Sequence, residues 1–156
     1  MRRSYMLIIL LTLLLLIMSF GPASAAPGSE VRIEVTNEQL IPPTSGPFIA
    51  SGPAVDAGII CGSGNTNDVF IKESGNPDKP LRRLVAYKQF TCGDGSGEFI
   101  LKMNMKFDRQ TGLPSGNWRV VDGYGEYEDL RGSGKFEGFP LGEGLLEIIN
   151  GKVRDR

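Results

Sequence analysis

Apolar and polar positions alternate along most of this chain with a period of two, the signature of strands that bury one face and wet the other. Val31, Ile33 and Val35 alternate with Arg32 and Glu34 in a first strand. The most regular case runs from Glu98 to Phe107. Phe99, Leu101, Met103, Met105 and Phe107 share one face there, Glu98, Lys102, Asn104 and Lys106 the other, and Ile100 is the single apolar exception. Burial of so clean a face specifies the register, because a slip of one residue would turn every apolar side chain outward. Arg82 to Cys92, Trp118 to Asp122, Arg131 to Glu137 and Leu145 to Ile149 form further strands, and Phe48 to Ser51 a short one. Ala57 to Cys61 and Asp68 to Glu73 are expected to pair as a hairpin across Gly62-Ser-Gly-Asn-Thr-Asn67, whose residues favour turns.

The breaks between these runs carry their own chemistry. Pro42, Pro43, Pro47 and Pro53 keep any pairing between Asn37 and Gly58 short, broken or on an edge, since proline offers no amide to a ladder. Ser74-Gly-Asn-Pro-Asp-Lys-Pro80 is a polar surface loop and the expected mobile segment. Cys92-Gly-Asp-Gly-Ser-Gly97 is the strongest hairpin signal, Arg109 to Gly116 is a loop, and Gly123 and Gly125 frame a bend before a strand restarts at Arg131. Eight or nine short strands with no sustained 3.6-residue period predict an all-β fold, a single small antiparallel eight-stranded β-barrel.

The first 25 residues stand apart. Arg2 and Arg3 precede an apolar run from Met6 to Met18 and then Ala23-Ser24-Ala25, the layout of a cleaved signal peptide; the run is too short for a membrane span, which needs about 20 apolar residues. The expectation is a signal over 1–25 and one domain over 26–156, secreted or periplasmic according to the host envelope, with no stable membrane span after cleavage. Removing the signal leaves 15 basic residues (17 − 2) against 18 acidic ones, a net charge of −3 (15 − 18), which disfavours nucleic acid as a partner. Cys61 and Cys92 are the only cysteines, and in an exported chain an even pair predicts a disulfide. It would close a loop of 31 positions (92 − 61), for which loop entropy supplies about 3–4 kcal/mol.

Trp118-Arg-Val-Val-Asp-Gly-Tyr-Gly-Glu-Tyr-Glu-Asp-Leu-Arg-Gly-Ser-Gly134 resembles the allene oxide cyclase-like and dirigent-like barrels. In that group a Val-Val strand leads to a Gly-x-Gly bend, an aromatic two residues on, and a small-residue pair opening the next strand. Val120-Val121, Gly123 with Gly125, Tyr127, and Arg131-Gly132 take those places. Tyr124 departs from the pattern, standing where threonine or serine is usual. Cys92-Gly-Asp-Gly-Ser-Gly-Glu-Phe99 and Gly46-Pro-Phe-Ile-Ala-Ser-Gly-Pro-Ala-Val-Asp-Ala-Gly58 look like segments of secreted bacterial members. The resemblance implies a calycin-like barrel and either ligand binding or cofactor-free isomerisation, and it associates Arg131 with a ligand pocket. It carries the fold further than the activity, because one fold hosts many functions.

The residues themselves exclude more than they assign. The chain has no histidine, which removes the commonest general base and metal ligand and every Ser-His-Asp arrangement. With both cysteines paired, no metal site and no cofactor is expected; Asp94 and Asn65-Thr-Asn-Asp68 lack calcium-loop spacing and read as turns. The glycines at 123, 125, 132 and 134 lie in a strand-turn-strand context, where a phosphate loop would need a following helix. What remains for chemistry is carboxylates, phenols and one arginine at a barrel mouth: Asp122, Glu126, Tyr127 and Arg131, with Tyr87 and Tyr124 as further phenols and Met103 and Met105 in a pliable apolar wall. Arg131 has two readings, an exposed cross-hairpin ion pair or a pocket residue partnered by Asp122, Asp129 or Glu126. Three functions follow: binding of a small hydrophobic or phenolic molecule, isomerase or cyclase chemistry, or a structural or interaction module of the cell envelope. A homo-oligomer is compatible with each.

Overall fold

The computed structural model describes residues 27–39, 43–74, 80–108 and 110–155. Eight strands, β1 (Ser29–Asn37), β2 (Ser45–Ser51), β3 (Ser63–Ser74), β4 (Leu81–Cys92), β5 (Gly97–Asp108), β6 (Leu113–Gly125), β7 (Arg131–Leu141) and β8 (Gly144–Arg154), form a closed barrel in chain order. Every neighbouring pair is antiparallel, and β1 closes the ring on β8. The connections therefore alternate between two ends. One end carries the β2–β3, β4–β5 and β6–β7 turns and the single helical turn α1 (Pro53–Asp56); it is called the capped end below. The other carries the β1–β2, β3–β4, β5–β6 and β7–β8 connections.

The interior of an eight-stranded barrel is just wide enough for side chains to fill, and at the capped end they do. Phe48 meets Phe90 edge-on with ring centroids 5.2 Å apart, Phe90 stacks on Phe99 at 4.9 Å, and Phe99 meets Tyr127 edge-on at 5.7 Å. Ala54 of α1, Ile60, Leu130 and the Cys61–Cys92 disulfide close this end, all buried. Tyr127 is held through its hydroxyl, 2.8 Å from Ser96 Oγ. Trp118 lies across β7 and β8 and donates its indole N–H to the Asn150 carbonyl at 3.0 Å. It fits because Gly134 and Gly151, ladder partners beneath it, have no side chains: a Cβ at Gly151 would sit 2.5 Å from the indole ring.

The structure corrects the reading between Pro53 and Asn67. Ala57 to Cys61 is not a strand but the turn and bend that follow α1, and Gly62–Asn67 is not a hairpin turn, since β3 begins at Ser63. Ile60 and Cys61 are apolar because they plug the capped end. The turn-favouring run Gly64–Asn67 is strand because it is paired on both sides, to β2 and to β4, and ladder pairing outweighs local preference. Gly64 has a specific reason for lacking a side chain: a Cβ would stand 2.1 Å from the Thr91 carbonyl oxygen. The loop expected from Arg109 to Gly116 is also shorter, as β6 starts at Leu113, and the Gly123–Gly125 bend is still strand, with the turn following it. Residues 1–25 and 75–79, read as signal and mobile loop, lie outside the described residues. Among those described, no helix is long and apolar enough to cross a membrane, and the disulfide fits an oxidising compartment.

Candidate functional site

β4 sends Ala86, Lys88, Phe90 and Cys92 into the barrel, so one of its inward positions is a lysine. Lys88 is 1% exposed, in the same interior as Phe90 and Phe99. A charge so placed needs partners, because an unpaired buried ion costs several kcal/mol. It finds them across the bore. Lys88 Nζ donates to Glu147 Oε2 at 2.6 Å and to Thr44 Oγ1 at 2.9 Å, and lies 3.7 Å from Asp68 Oδ1. Glu147 is the inward residue between Leu145 and Ile149 on β8, and in a ring of eight strands β8 stands opposite β4. The ion pair is thus a strut across the diameter.

Asp68 is anchored independently of the lysine. Its Oδ2 accepts from the Thr44 amide at 2.7 Å and from Thr44 Oγ1 at 2.9 Å, while its own amide donates to the Thr44 carbonyl at 3.0 Å. Thr44 therefore relays hydrogen bonds between lysine and aspartate. The cluster holds one ammonium and two carboxyl groups, one more acid than base. Among the described residues two polar groups here have no hydrogen-bond partner: Asp68 Oδ1, and the Asn37 amide at both its ends. Asn37 is 1% exposed and continues the inward face of Val31, Ile33 and Val35; it pairs with Leu145, two residues from Glu147 along β8. Buried amides without partners are rare and costly.

Beyond the strut some inward-facing side chains become partly exposed. Along β4 the inward residues pass from Phe90, Lys88 and Ala86, all buried, to Leu84 and Arg82, half-buried; along β5 Phe107 is half-buried after Met105, and along β3 Ile71 and Glu73 are reached after Asp68. Arg82 forms an ion pair with Glu73 there, both side chains partly in solvent. The strut thus lies beneath Leu84, Ile71 and Phe107, apolar and half-buried, with Met105 buried beside them.

The residues singled out from sequence are not brought together. Met103, Met105 and Tyr127 are buried in the barrel, Tyr127 at the capped end and Met105 beyond the strut's level toward the opposite end. Asp122 is exposed and occupied by its neighbours, accepting from the Tyr124 hydroxyl at 2.8 Å and the Gly123 amide at 3.0 Å; Glu126 is exposed in the following turn. Arg131 stands on the outer face, since Gly132 next to it pairs with the inward Val153, and its Nη1 donates to the Leu130 carbonyl at 2.8 Å. Of the two stretches weighed for calcium, Asp94 accepts from Ser96 Oγ and the Ser96 amide, bonds that hold its carboxyl below the usual range, and Asp68 belongs to the strut.

No protein-family model, curated protein or solved structure matches this chain. The site therefore rests on its own geometry. Lys88, Glu147 and Asn37 were not singled out from sequence, yet a signal was present. Each shares the parity of an apolar face: Lys88 with Ala86 and Phe90, Glu147 with Leu145 and Ile149, Asn37 with Val31, Ile33 and Val35. Asp68 and Thr44 carried no such signal, because their strand register was not legible.

Proposed function

We propose that this protein is an exported barrel that binds a small apolar molecule bearing a hydroxyl or phenol, with the apolar body among Leu84, Ile71 and Phe107 and the polar head on the Lys88–Glu147 strut. The observation that carries this is the buried Asn37 amide, which among the described residues has no hydrogen-bond partner, near Asp68 Oδ1, which accepts no hydrogen bond and has only its 3.7 Å ion pair with Lys88. An excess of carboxyl over ammonium in the cluster favours a head group that donates, and a hydroxyl both donates and accepts, so it can serve the carboxylate and the amide together. A carboxylate ligand is disfavoured by the same excess. The resemblance to allene oxide cyclase-like and dirigent-like barrels points the same way.

Displacement of N-phenyl-1-naphthylamine, a neutral fluorescent probe, tests this reading with a matched pair of competitors. 4-Propylphenol should displace it at about tenfold lower concentration than propylbenzene, the equivalent of one net hydrogen bond. Asn37→Leu should narrow that gap while raising the stability of the unliganded protein. Absence of probe uptake, or equal displacement by both competitors, would defeat the proposal and leave a structural or envelope-interaction role. The Glu147–Lys88–Thr44–Asp68 relay also suits a cofactor-free isomerase that moves a proton on a bound ligand; turnover of an unsaturated lipid or phenolic substrate, lost in the folded double variant Lys88→Met with Glu147→Leu, would establish that second reading.

A further inference from the structure

A separate concentration of charge lies on the outside of the barrel. β6 and β7 pair only over Ser115–Arg119 and Ser133–Glu137, yet β6 continues to Gly125 and β7 starts at Arg131, so the two strands part beyond Arg119. Where they part there is a recess of ≈ 370 Å³, lined by Arg119, Arg131, Lys152 and Arg154 with Ser133 and Gly132. The ladders align these side chains: Arg119 pairs with Ser133, Ser133 with Lys152, and Arg131 with Arg154. No carboxylate is among the described residues that line the recess.

Like charges directly opposed across a ladder destabilise it, so Arg131 facing Arg154 needs a reason. Intramolecular neutralisation does not provide one. Among the described residues none of the four cations forms an ion pair; the only side-chain hydrogen bond of the group is from Arg131 to the Leu130 carbonyl. Glu30 stands opposite Lys152 in the β1–β8 ladder, on the far side of β8, but forms no ion pair with it. The whole chain carries a net charge of −1, so this is a local field and not a basic protein's average surface.

We propose that the recess is an oxyanion site that takes the phosphate or sulfate group of a larger molecule. Arg131 and Arg154 present the planar forks that match tetrahedral oxyanions in bidentate fashion, Arg119 and Lys152 supply flanking charge, and the Ser133 hydroxyl adds a donor. Opposed arginines are then held apart in the free protein and bridged in the bound one. Anion binding relieves a repulsion that the fold otherwise tolerates.

The test is a titration of the purified protein with sodium phosphate and with sodium sulfate at constant ionic strength, followed by amide NMR and thermal unfolding. Saturable shifts are expected at Gly132 and Ser133, with an anion-dependent rise in Tm. The double variant R131Q/R154Q should lose both. Lys135→Gln, on the same face of β7 but outside the recess, should keep both. Without anion, Arg154→Gln should raise Tm, because it removes the repulsion; a fall would show that the arginines are structural and would overturn the proposal. Co-sedimentation with phosphatidylglycerol vesicles, against phosphatidylcholine as control, separates the two sources. Vesicle binding weakened at least tenfold in the double variant assigns a lipid headgroup, whereas NMR shifts without vesicle binding assign a soluble ester or free ion. Identical titrations of wild type and double variant, or no saturable shift with either anion, would refute the site.

Discussion

Replacing Lys88 by methionine keeps the length of the side chain and removes only the ammonium, which leaves Glu147 and Asp68 as carboxyl groups in the barrel interior with no cation between them. Breaking a buried pair from one side costs roughly 3–5 kcal/mol, because the remaining group keeps its desolvation penalty and loses its compensation. For a domain of this size each kcal/mol moves Tm by about 3–4 °C, so Lys88→Met should lower it by roughly 10–20 °C. The informative variant is the double one, Lys88→Met with Glu147→Leu. It removes both ends of the strut and replaces them with apolar atoms of similar reach, while Asp68 keeps its two bonds from Thr44. The double variant should come within about 1–2 kcal/mol of wild type, so the coupling energy is at least about 2 kcal/mol before the cost of Glu147→Leu alone is added. Urea unfolding with the disulfide intact measures each corner of the cycle without adding salt, and an unchanged m-value confirms that the same surface is exposed. If Lys88→Met fails to fold while the double variant folds, the sign of the coupling is already established. A single variant costing less than about 1 kcal/mol, or a double variant as damaging as the sum of its parts, would show that the strut is not a compensated ion pair.

Three further outcomes follow from the packing. Gly151→Ala puts a methyl 2.5 Å from the Trp118 ring and 2.3 Å from the Ser133 carbonyl oxygen, so urea unfolding should show a loss of about 1–3 kcal/mol together with a change in tryptophan fluorescence. Met103→Lys, at a fully buried position, should unfold the domain or cost several kcal/mol, whereas Lys102→Met next to it should cost no more than about 1 kcal/mol, the value of its cation–π contact with Tyr87; circular dichroism melts compare the two. Burial raises the Tyr127 phenol above its ordinary value, the hydrogen bond with Ser96 acting in the opposite sense and the charges of Asp94 and Glu126 adding to it. The folded state therefore holds this proton more tightly than the unfolded chain, so the stabilisation is complete below about pH 10 and is lost as pH rises through the folded-state value. Tyr127→Phe should flatten that alkaline decline in a series of urea midpoints; Tyr124, raised by its bond to Asp122, contributes in both proteins and cancels in the comparison.

The architecture was legible where alternation was clean. Strand β5 could be assigned face by face because its apolar and polar residues separate with Ile100 alone out of place, and the closed eight-stranded barrel follows from the count and shortness of the strands together with their turns. The Cys61–Cys92 bond was equally readable, from an even count that does not depend on what lies opposite. The segment from Pro53 to Asn67 was not, since glycine, asparagine and threonine carry a turn preference that only the ladders on both sides override.

The site was decided by closure of the ring. Alternation alone places Lys88 and Glu147 on inward faces, but they are 59 positions apart in the chain, and nothing local says that β4 and β8 stand opposite each other across one bore. Arg131 shows the converse. The resemblance associated it with a pocket, beside the alternative of an exposed residue, and the parity of Gly132 with the buried Val153 turns the arginine outward, where it meets Arg154 across the ladder. Periodicity along a strand determines which side chains share a face, because it is set by the pleat of that strand alone. Which faces look at one another, and hence which charges must be compensated, depends on pairings between distant segments, and those exist only once the barrel has closed.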